Sequence, residues 1–281
     1  VLGVTNEADL MAQSEAAPAT TGSDTPTTLP DPADLTLTTE QFASPDGRWQ
    51  AVISQSEPFT TDTEGDKFYT ALTVTDGTTT WTPIAEWRGY GLGYIFPAVF
   101  QWSADGRYLY FTNRMSGDGC VIFINGTDLY RLDVGDGTVT PVLDSGLTWN
   151  LALSPDEKSV VYTQFNGQGI VAVRRDMATE QEQSVVVAEG TDLQAGSIIW
   201  SPDSSTFLLT VAHNPCSESW THSIIRVEAG SLTAVALLNE DARRLTTLDW
   251  PDPEQTTIRL KDKDGNNWLF NIDSGELTPA P

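Results

Sequence analysis

Short runs of apolar residues recur along the chain, and successive runs flank a turn-forming sequence. The residue before each turn is apolar, and in four of five copies a second large apolar residue lies two positions earlier. The residues before the turns are Ala43, Trp102, Leu153, Trp200 and Trp250, and the earlier ones are Phe100, Leu151, Ile198 and Leu248. This alternation predicts a β-strand that leads into a hairpin.

The runs that follow the turns are apolar at nearly every position, as in Tyr108-Leu109-Tyr110-Phe111 and Phe207-Leu208-Leu209. A strand that is apolar on both faces must be covered on both faces. Sheets that stack face to face around an axis provide this cover, and no amphipathic helix is evident in the sequence.

The turn itself is repeated. Its copies are Ser44-Pro45-Asp46-Gly47-Arg48, Ser103-Ala104-Asp105-Gly106-Arg107, Ser154-Pro155-Asp156-Glu157-Lys158, Ser201-Pro202-Asp203-Ser204 and the degenerate Pro251-Asp252-Pro253-Glu254. They start at positions 44, 103, 154, 201 and 251, which are 59, 51, 47 and 50 residues apart. Pro fixes φ, Asp bonds its own backbone and Gly accepts a positive φ. Periods of this length indicate a solenoid, a propeller or another array.

A second motif, a strand that ends in a Gly turn, recurs in step with the first. Its copies are Leu72-Thr73-Val74-Thr75-Asp76-Gly77, Leu129-Tyr130-Arg131-Leu132-Asp133 with Asp136-Gly137, Ile225-Arg226-Val227-Glu228-Ala229-Gly230 and Phe270-Asn271-Ile272-Asp273-Ser274-Gly275. The third repeat offers only Ile170-Val171-Ala172-Val173, without the Gly. A short outer strand follows, so each repeat predicts four strands, which we label a to d from the axis outward.

The W-S-P-D-G-R/K turn, the apolar strand after it and the strand that ends in a D-x-x-G turn together resemble the TolB-type, WD-repeat-like β-propeller repeat over residues 36–281. The resemblance implies an all-β propeller of five four-stranded blades, with a six-bladed closure through N-terminal residues as the alternative. Proteins with such repeats include periplasmic and cell-surface binding proteins and the propeller domains of larger peptidases. The resemblance is specific for fold and unspecific for function.

Residues 12–33 differ in composition from the repeats. Sixteen of these twenty-two positions are Ala, Pro, Ser or Thr, and the first basic residue of the chain is Arg48. Such a stretch cannot bury enough apolar area to offset its ordering entropy. We therefore predict a flexible N-terminal segment and acidic linker at residues 1–35 and a propeller at residues 36–281. Linkers of this kind are typical of exported proteins, so a periplasmic or extracellular, cell-surface location is expected.

The net charge of −24 excludes some classes of partner. An acidic surface repels phosphate backbones and anionic lipid headgroups, so nucleic acid is not expected to bind. The chain contains no run of eighteen apolar residues, and no membrane span is predicted within it. Because it begins with Val1 rather than Met, we expect an upstream piece that could carry a signal peptide or a membrane anchor.

Two cysteines, Cys120 and Cys216, are present. An even pair in a β-rich, exported-looking protein predicts one disulfide bond, with two unpaired thiols as the alternative. His213 and His222 flank Cys216, but their spacing matches no zinc pattern, so we predict neither a metal nor another cofactor.

Catalytic motifs are not evident. The sequence contains neither G-x-S-x-G nor H-E-x-x-H. The glycine-rich residues 89–93 precede a segment that is predicted to be extended rather than helical, which argues against nucleotide binding. Asp262-Lys263-Asp264-Gly265-Asn266 begins like a calcium loop but has no later Glu at the required position, and a hairpin turn accounts for it.

In a propeller the b–c and d–a loops share one face, and here these loops are long and variable. The d–a connection over residues 87–94 contains Trp87, Arg88, Tyr90 and Tyr94, residue types that are enriched at binding hot spots. We take these four as the candidate binding residues for a protein or glycan partner. The alternative is that their rings plug the channel or pack between the first two blades.

The preferred hypothesis is a non-catalytic, extracytoplasmic propeller that serves as an interaction scaffold or accessory subunit of a cell-surface or membrane-associated assembly. A five-bladed glycan-binding or glycoside-hydrolysing propeller with carboxylates around the axis is the main alternative, since that chemistry needs two carboxyl groups a few ångströms apart. A sensor domain with a transmembrane partner upstream of Val1 is a third possibility.

Overall fold

The computed structural model describes residues 28–61, 65–117, 120–143, 150–251 and 256–280. Most of the predicted N-terminal linker lies outside this described part of the chain. The first element of the described part is a 3-10 turn at Pro32–Asp34. The described residues form 21 β-strands, and no α-helix occurs among them. No helix that could cross a membrane is found in these residues.

The strands form five antiparallel sheets, which we call blades 1 to 5. Blade 1 contains β1 (Leu37–Ala43), β2 (Gln50–Ser56), β3 (Phe59–Thr61), β4 (Gly65–Thr75) and β5 (Thr80–Gly89). Blade 2 contains β6 (Ile95–Trp102), β7 (Tyr108–Met115), β8 (Leu129–Asp133) and β9 (Val139–Leu143). Blade 3 contains β10 (Leu151–Leu153), β11 (Ser159–Phe165), β12 (Gly169–Asp176) and β13 (Glu182–Glu189). Blade 4 contains β14 (Leu193–Trp200), β15 (Thr206–His213), β16 (Thr221–Glu228) and β17 (Thr233–Asp241), and blade 5 contains β18 (Thr246–Asp249), β19 (Thr257–Lys261), β20 (Asn267–Asn271) and β21 (Leu277–Pro279).

In each blade the four main strands follow one another in the sheet in chain order, as in β6-β7-β8-β9. The predicted all-β fold with five four-stranded blades is therefore confirmed. Blade 1 has one additional strand, the short β3, which pairs with the first half of β4. This extension arises because β4 is eleven residues long and continues past the end of β2.

Four apolar clusters join the five blades in a row. They lie between blades 1 and 2, 2 and 3, 3 and 4, and 4 and 5, and each is built from both flanking sheets. Indole groups add polar links at two of these boundaries: Trp102 Nε1 donates to the carbonyl of Phe42 at 3.2 Å, and Trp200 Nε1 donates to that of Ala152 at 3.3 Å. The doubly apolar strands noted in the sequence are thus covered on both faces.

The boundary between blade 5 and blade 1 is different. Within the described residues no apolar cluster spans it, and residues 38–41 of β1 are exposed one after another. The outward face of blade 5 carries the ion pair between Arg259 and Asp249. The apolar strands predicted cover on every sheet face, and within the described residues no apolar cluster covers this boundary.

The connections divide between two ends of the blades. The a–b and c–d turns, such as residues 44–49 and 76–79, lie at one end, which we call the turn face. The b–c and d–a connections, such as residues 116–128 and 90–94, lie at the other end, the loop face. This division follows from antiparallel pairing, because successive connections alternate between the two ends of a sheet.

Candidate functional site

The four predicted binding residues do not lie on a single loop. Trp87 and Arg88 belong to strand β5, and only residues 90–94 form the d–a connection. Neighbouring strand residues point to opposite faces of a sheet. Trp87 pairs with Tyr69, and their ring centroids lie 5.8 Å apart, whereas Arg88 pairs with Phe68 and turns towards blade 2. The structure therefore brings Arg88, Tyr90 and Tyr94 together and separates Trp87 from them.

An aromatic cluster supports the d–a connection of blade 1. The buried ring of Phe68 lies 5.4 Å from Tyr94 and 6.2 Å from Tyr90, both in edge-to-face geometry. Tyr94 also contacts Tyr90 at 4.8 Å and Phe96 at 5.5 Å. Aromatic pairs at these separations are mutually attractive, so the rings fix the path of this glycine-rich segment.

Arg88 belongs to a polar network that links blades 1 and 2. Its Nε and Nη2 donate to Glu86 Oε1 at 2.9 and 2.6 Å, and its Nη1 donates to Asn113 Oδ1 at 2.7 Å. Asn113 in turn donates from its backbone and side-chain nitrogens to the two carboxylate oxygens of Asp128, both at 2.6 Å. The guanidinium of Arg88 is therefore already hydrogen-bonded within the protein and is not available to pair with a charged group of a partner. We call the Glu86–Arg88–Asn113–Asp128 network, which lies beneath the d–a connection, the floor.

These groups surround an open cleft of about 530 Å³ between blades 1 and 2 on the loop face. Its lining residues are Arg88, Gly89, Gly93, Tyr94, Ile95, Asn113, Thr127 and Asp128. Asn113 and Asp128 were not predicted from the sequence, because Asn113 lies in β7, Asp128 directly precedes β8 and no local pattern joins them.

Exposed apolar side chains border this cleft. Leu92 is 87% exposed, Tyr90 43% and Ile95 42%, and we call these three residues the Leu92 patch. Leu92 stands between Gly91 and Gly93 at the tip of the connection. A leucine between two glycines in a predicted loop was the signal in the sequence that could have identified it. Three large apolar side chains are thus exposed within six residues, which makes this connection a candidate contact surface.

The turn face carries a second cleft, of about 590 Å³, which is acidic. Its carboxylates serve the turns themselves: Asp46 accepts from Ser44 Oγ at 2.6 Å, and Asp76 accepts from the backbone of Thr79 at 2.7 Å. Hydrogen bonds from these turns lower the pKa of Asp46, Asp76, Asp105 and Asp136. Among the described residues, no group of three or more metal-ligating side chains is assembled here or elsewhere.

Cys120 and Cys216 form a disulfide bond, with their Cα atoms 5.4 Å apart. The bond joins the b–c connection of blade 2 to that of blade 4 and so bridges two blades that are not adjacent. Gln194 secures the same loop, donating to the carbonyl of Cys120 at 2.7 Å and accepting from the backbone of Ile122 at 3.0 Å. Asn125 exchanges two hydrogen bonds with the backbone of Leu151, at 2.7 and 2.9 Å.

The histidines near Cys216 have separate partners. His213 Nε2 lies 2.9 Å from Ser223 Oγ, and His222 Nδ1 lies 3.2 Å from the carbonyl oxygen of Leu245. Burial lowers the pKa of His222, which keeps its ring neutral. The Asp262 segment is the b–c turn between β19 and β20, where the Trp268 indole and Asn266 lower the pKa of Asp262 to about 2.

No protein-family model matches the sequence, and no curated protein matches it either. Among solved structures, the β-propeller domain of the Trilobed protease from Pyrococcus furiosus, described as having an open velcro topology, aligns with a TM-score of 0.52 and 11% identity over 86% of this chain and 71% of that one. An oligogalacturonate lyase in complex with manganese aligns with a TM-score of 0.50 and 16% identity over 86% of this chain and 59% of that one. TolB from Acinetobacter baumannii aligns with a TM-score of 0.46 and 17% identity over 86% and 51%.

The chain spans less than two thirds of the lyase and TolB structures that it matches. At these identities the likeness concerns the fold alone. Together with the five sheets, it defines the class of this protein as a β-propeller.

Proposed function

We propose that this protein is a non-catalytic, extracytoplasmic β-propeller that acts as an interaction scaffold or accessory subunit of a cell-surface or membrane-associated assembly. In this proposal a protein partner docks on the loop face, over the Leu92 patch. The observation that supports it is the combination of three exposed apolar side chains with a rigid, internally satisfied floor.

The chemistry of the floor indicates what kind of contact the partner makes. The groups of the Glu86–Arg88–Asn113–Asp128 network already bond to one another, so an incoming charged group would have to break existing hydrogen bonds. Apolar contact with Leu92, Tyr90 and Ile95 instead removes exposed hydrocarbon from water without that loss. The partner should therefore contribute an aliphatic or aromatic side chain, and its binding should depend only weakly on salt.

The glycoside-hydrolysis alternative makes a demand on carboxylate pKa values. A general acid needs a carboxyl group whose pKa is raised. Every described carboxyl group with a resolved shift has a lowered pKa, as at Asp105 and Asp241, because hydrogen bonds from backbone and side chains favour the ionised form.

The disulfide bond supports the extracytoplasmic part of the proposal. Disulfides persist in oxidising compartments and are rare in the cytosol. Cys120 and Cys216 are both exposed, so a cytosolic reductant would reach them.

Site-specific photo-crosslinking tests the docking surface. A photoreactive residue at position 92 of the full-length protein, expressed in its native host, should give one dominant crosslinked chain in the membrane fraction. The same residue at position 78, on the turn face, should not give that product. The substitution Leu92→Asp should abolish co-purification of that chain, because it places a charge in an apolar contact.

Val235→Asp provides the matched control, because Val235 is 54% exposed on an outer strand far from the loop face. Equal loss of the partner in Leu92→Asp and Val235→Asp would contradict docking on the Leu92 patch. A partner captured equally from positions 92 and 78 would contradict it as well.

A further inference from the structure

The disulfide-bonded loop of blade 2 covers the inner strands of blades 3 and 4. We call residues 120–125 the channel loop. Its hydrogen bonds reach the loop-face ends of β14 and β10, through Gln194 and Leu151. Because inner strands line the axis of a propeller, the channel loop lies over the channel.

Phe123 is the buried side chain of this loop, and it fits a notch made by a glycine. A Cβ at position 196 would lie 2.5 Å from Phe123 Cβ and 2.8 Å from Asn150 Cγ. The ring of His222 lies 5.8 Å from that of Phe123, and Trp220 lies 5.6 Å from His222. The space that Phe123 fills is therefore as large as one aromatic ring, and the rings of His222 and Trp220 form its wall.

Two polar atoms beside Phe123 have no hydrogen-bond partner among the residues that the structure describes. They are Asn150 Oδ1 and His222 Nε2, on side chains that are 4% and 5% exposed. His222 Nδ1 faces the carbonyl of Leu245, so it carries the proton and leaves Nε2 as an acceptor. Buried polar groups are nearly always satisfied, and an exception requires an explanation. Both orphan atoms are acceptors, and neither is charged.

We propose that Phe123 closes a ligand pocket formed by Asn150, Gly196 and His222, and that this pocket takes a small, neutral, planar molecule bearing a hydrogen-bond donor, of the phenol class. The ring of such a ligand takes the place of Phe123, and its hydroxyl donates to one of the two acceptors that Phe123 leaves unpaired. This pocket is separate from the Leu92 patch and does not depend on docking there.

The exposed disulfide bond gives the pocket a means of opening. A dithiol reductant transfers two electrons and two protons to the Cys120–Cys216 bond, which becomes two thiols while the reductant becomes a disulfide. The channel loop then keeps only its hydrogen bonds through Gln194 and Asn125. Loss of the covalent link raises the fraction of molecules in which Phe123 has left its notch.

Ligand titration with matched probes tests the pocket. Phenol and benzene have nearly the same shape, but only phenol carries a donor. Phe123→Ala, with its disulfide intact and its fold verified by circular dichroism, should bind phenol about tenfold more tightly than benzene by calorimetry or saturation-transfer NMR. Adding His222→Leu should reduce that preference.

The unmodified chain provides the second arm of the test. After reduction with a dithiol it should bind phenol, more weakly than Phe123→Ala, and in its oxidised form it should not bind. Equal affinity of Phe123→Ala for phenol and benzene would show that water satisfies the two acceptors, and it would overturn the proposal. Failure of the reduced, unmodified protein to bind phenol would overturn it too.

Discussion

The serine that opens each a–b turn makes the same contacts in four blades. In blade 4, Ser201 Oγ donates to Asp203 at 2.7 Å and accepts from the backbone nitrogen of Thr206 at 3.0 Å. Equivalent bonds start from Ser44, Ser103 and Ser154. These serines are buried, so water does not reach the backbone amide that each serine hydroxyl accepts from. The acidic character of the turn face is therefore in part a structural requirement.

Ser201→Ala should lower the free energy of unfolding by about 1–3 kcal/mol, because it leaves the buried amide of Thr206 without its acceptor. Denaturant titration followed by tryptophan fluorescence measures this change. Ser231→Ala removes an exposed hydroxyl and should stay within about 0.5 kcal/mol of the unmodified protein. A similar loss in both variants would contradict a special role for the turn serine.

Some turns place other residues where glycine is expected. In the c–d turns, Gly137 and Gly275 have φ of 79° and 72°, and the equivalent Glu180 and Leu232 have φ of 59° and 51°. The weaker motif of the third repeat thus adopts the same turn with a non-glycine residue. Left-handed backbone is unfavourable for residues with a Cβ.

Glu180→Gly should therefore raise the free energy of unfolding by about 0.5–1 kcal/mol, since it relieves the left-handed strain and loses only an exposed ion pair with Arg175. Thermal denaturation measures the effect. Glu180→Ala loses the same ion pair but keeps the strain, so it should not stabilise the protein. Equal behaviour of the two variants would show that φ at this position is not limiting.

At the scale of the elements, the channel loop is held by contacts with residues distant in sequence. It is held by the disulfide, by Gln194 and by Asn125, and Phe123 packs on the bare backbone of Gly196. A 96-residue separation between the cysteines makes the bond worth roughly 4 to 5 kcal/mol in the chain-entropy picture. Mass spectrometry without reduction should detect this bond in the native protein.

Gly196→Ala should lower the free energy of unfolding by about 1–3 kcal/mol, because its methyl group would overlap Phe123 and Asn150. In a Phe123→Gly background the same substitution should have a smaller effect, since the overlapping atoms of Phe123 are gone. Gly230→Ala meets no atom within 4 Å and serves as the control. An undiminished effect in the Phe123→Gly background would place the strain elsewhere.

For the whole molecule, charge and stability are linked through the turn aspartates. Hydrogen bonds depress the pKa of Asp46, Asp76, Asp105 and Asp176 below the ordinary value of 3.8, and that of Asp262 falls to about 2. A depressed folded-state pKa means that the unfolded chain takes up protons first as the pH falls. The stabilisation is present above the unfolded value and is lost as the pH drops through the folded values.

The unfolding temperature should accordingly fall steeply between about pH 4 and pH 2, measured by calorimetry at fixed ionic strength. Asp262→Asn cannot ionise, so this variant should start from a lower unfolding temperature at pH 7 and lose less on acidification. An unfolding temperature that stays constant from pH 4 to pH 2 would contradict the assignment of these carboxylates to the turns.

The local pattern predicted most of the fold. Turn chemistry, strand alternation and a repeat of about 50 residues are properties of neighbouring residues, and they indicated five sheets of four strands and the positions of the first four a–b turns. The degenerate fifth copy, at residues 251–254, lies outside the described residues except for Pro251. They did not indicate β3, because that strand pairs only with the part of β4 that extends beyond the end of β2.

The candidate site was predicted only in part, because its geometry depends on contacts distant in sequence. Arg88, Tyr90 and Tyr94 meet in space, but strand alternation turns Trp87 to the other face, and Asn113 and Asp128 arrive from blade 2. The notch beneath Phe123 likewise joins residues from three blades. Short-range sequence fixes which strands and turns form, whereas the side chains that meet at a blade boundary are set by how the finished sheets stack.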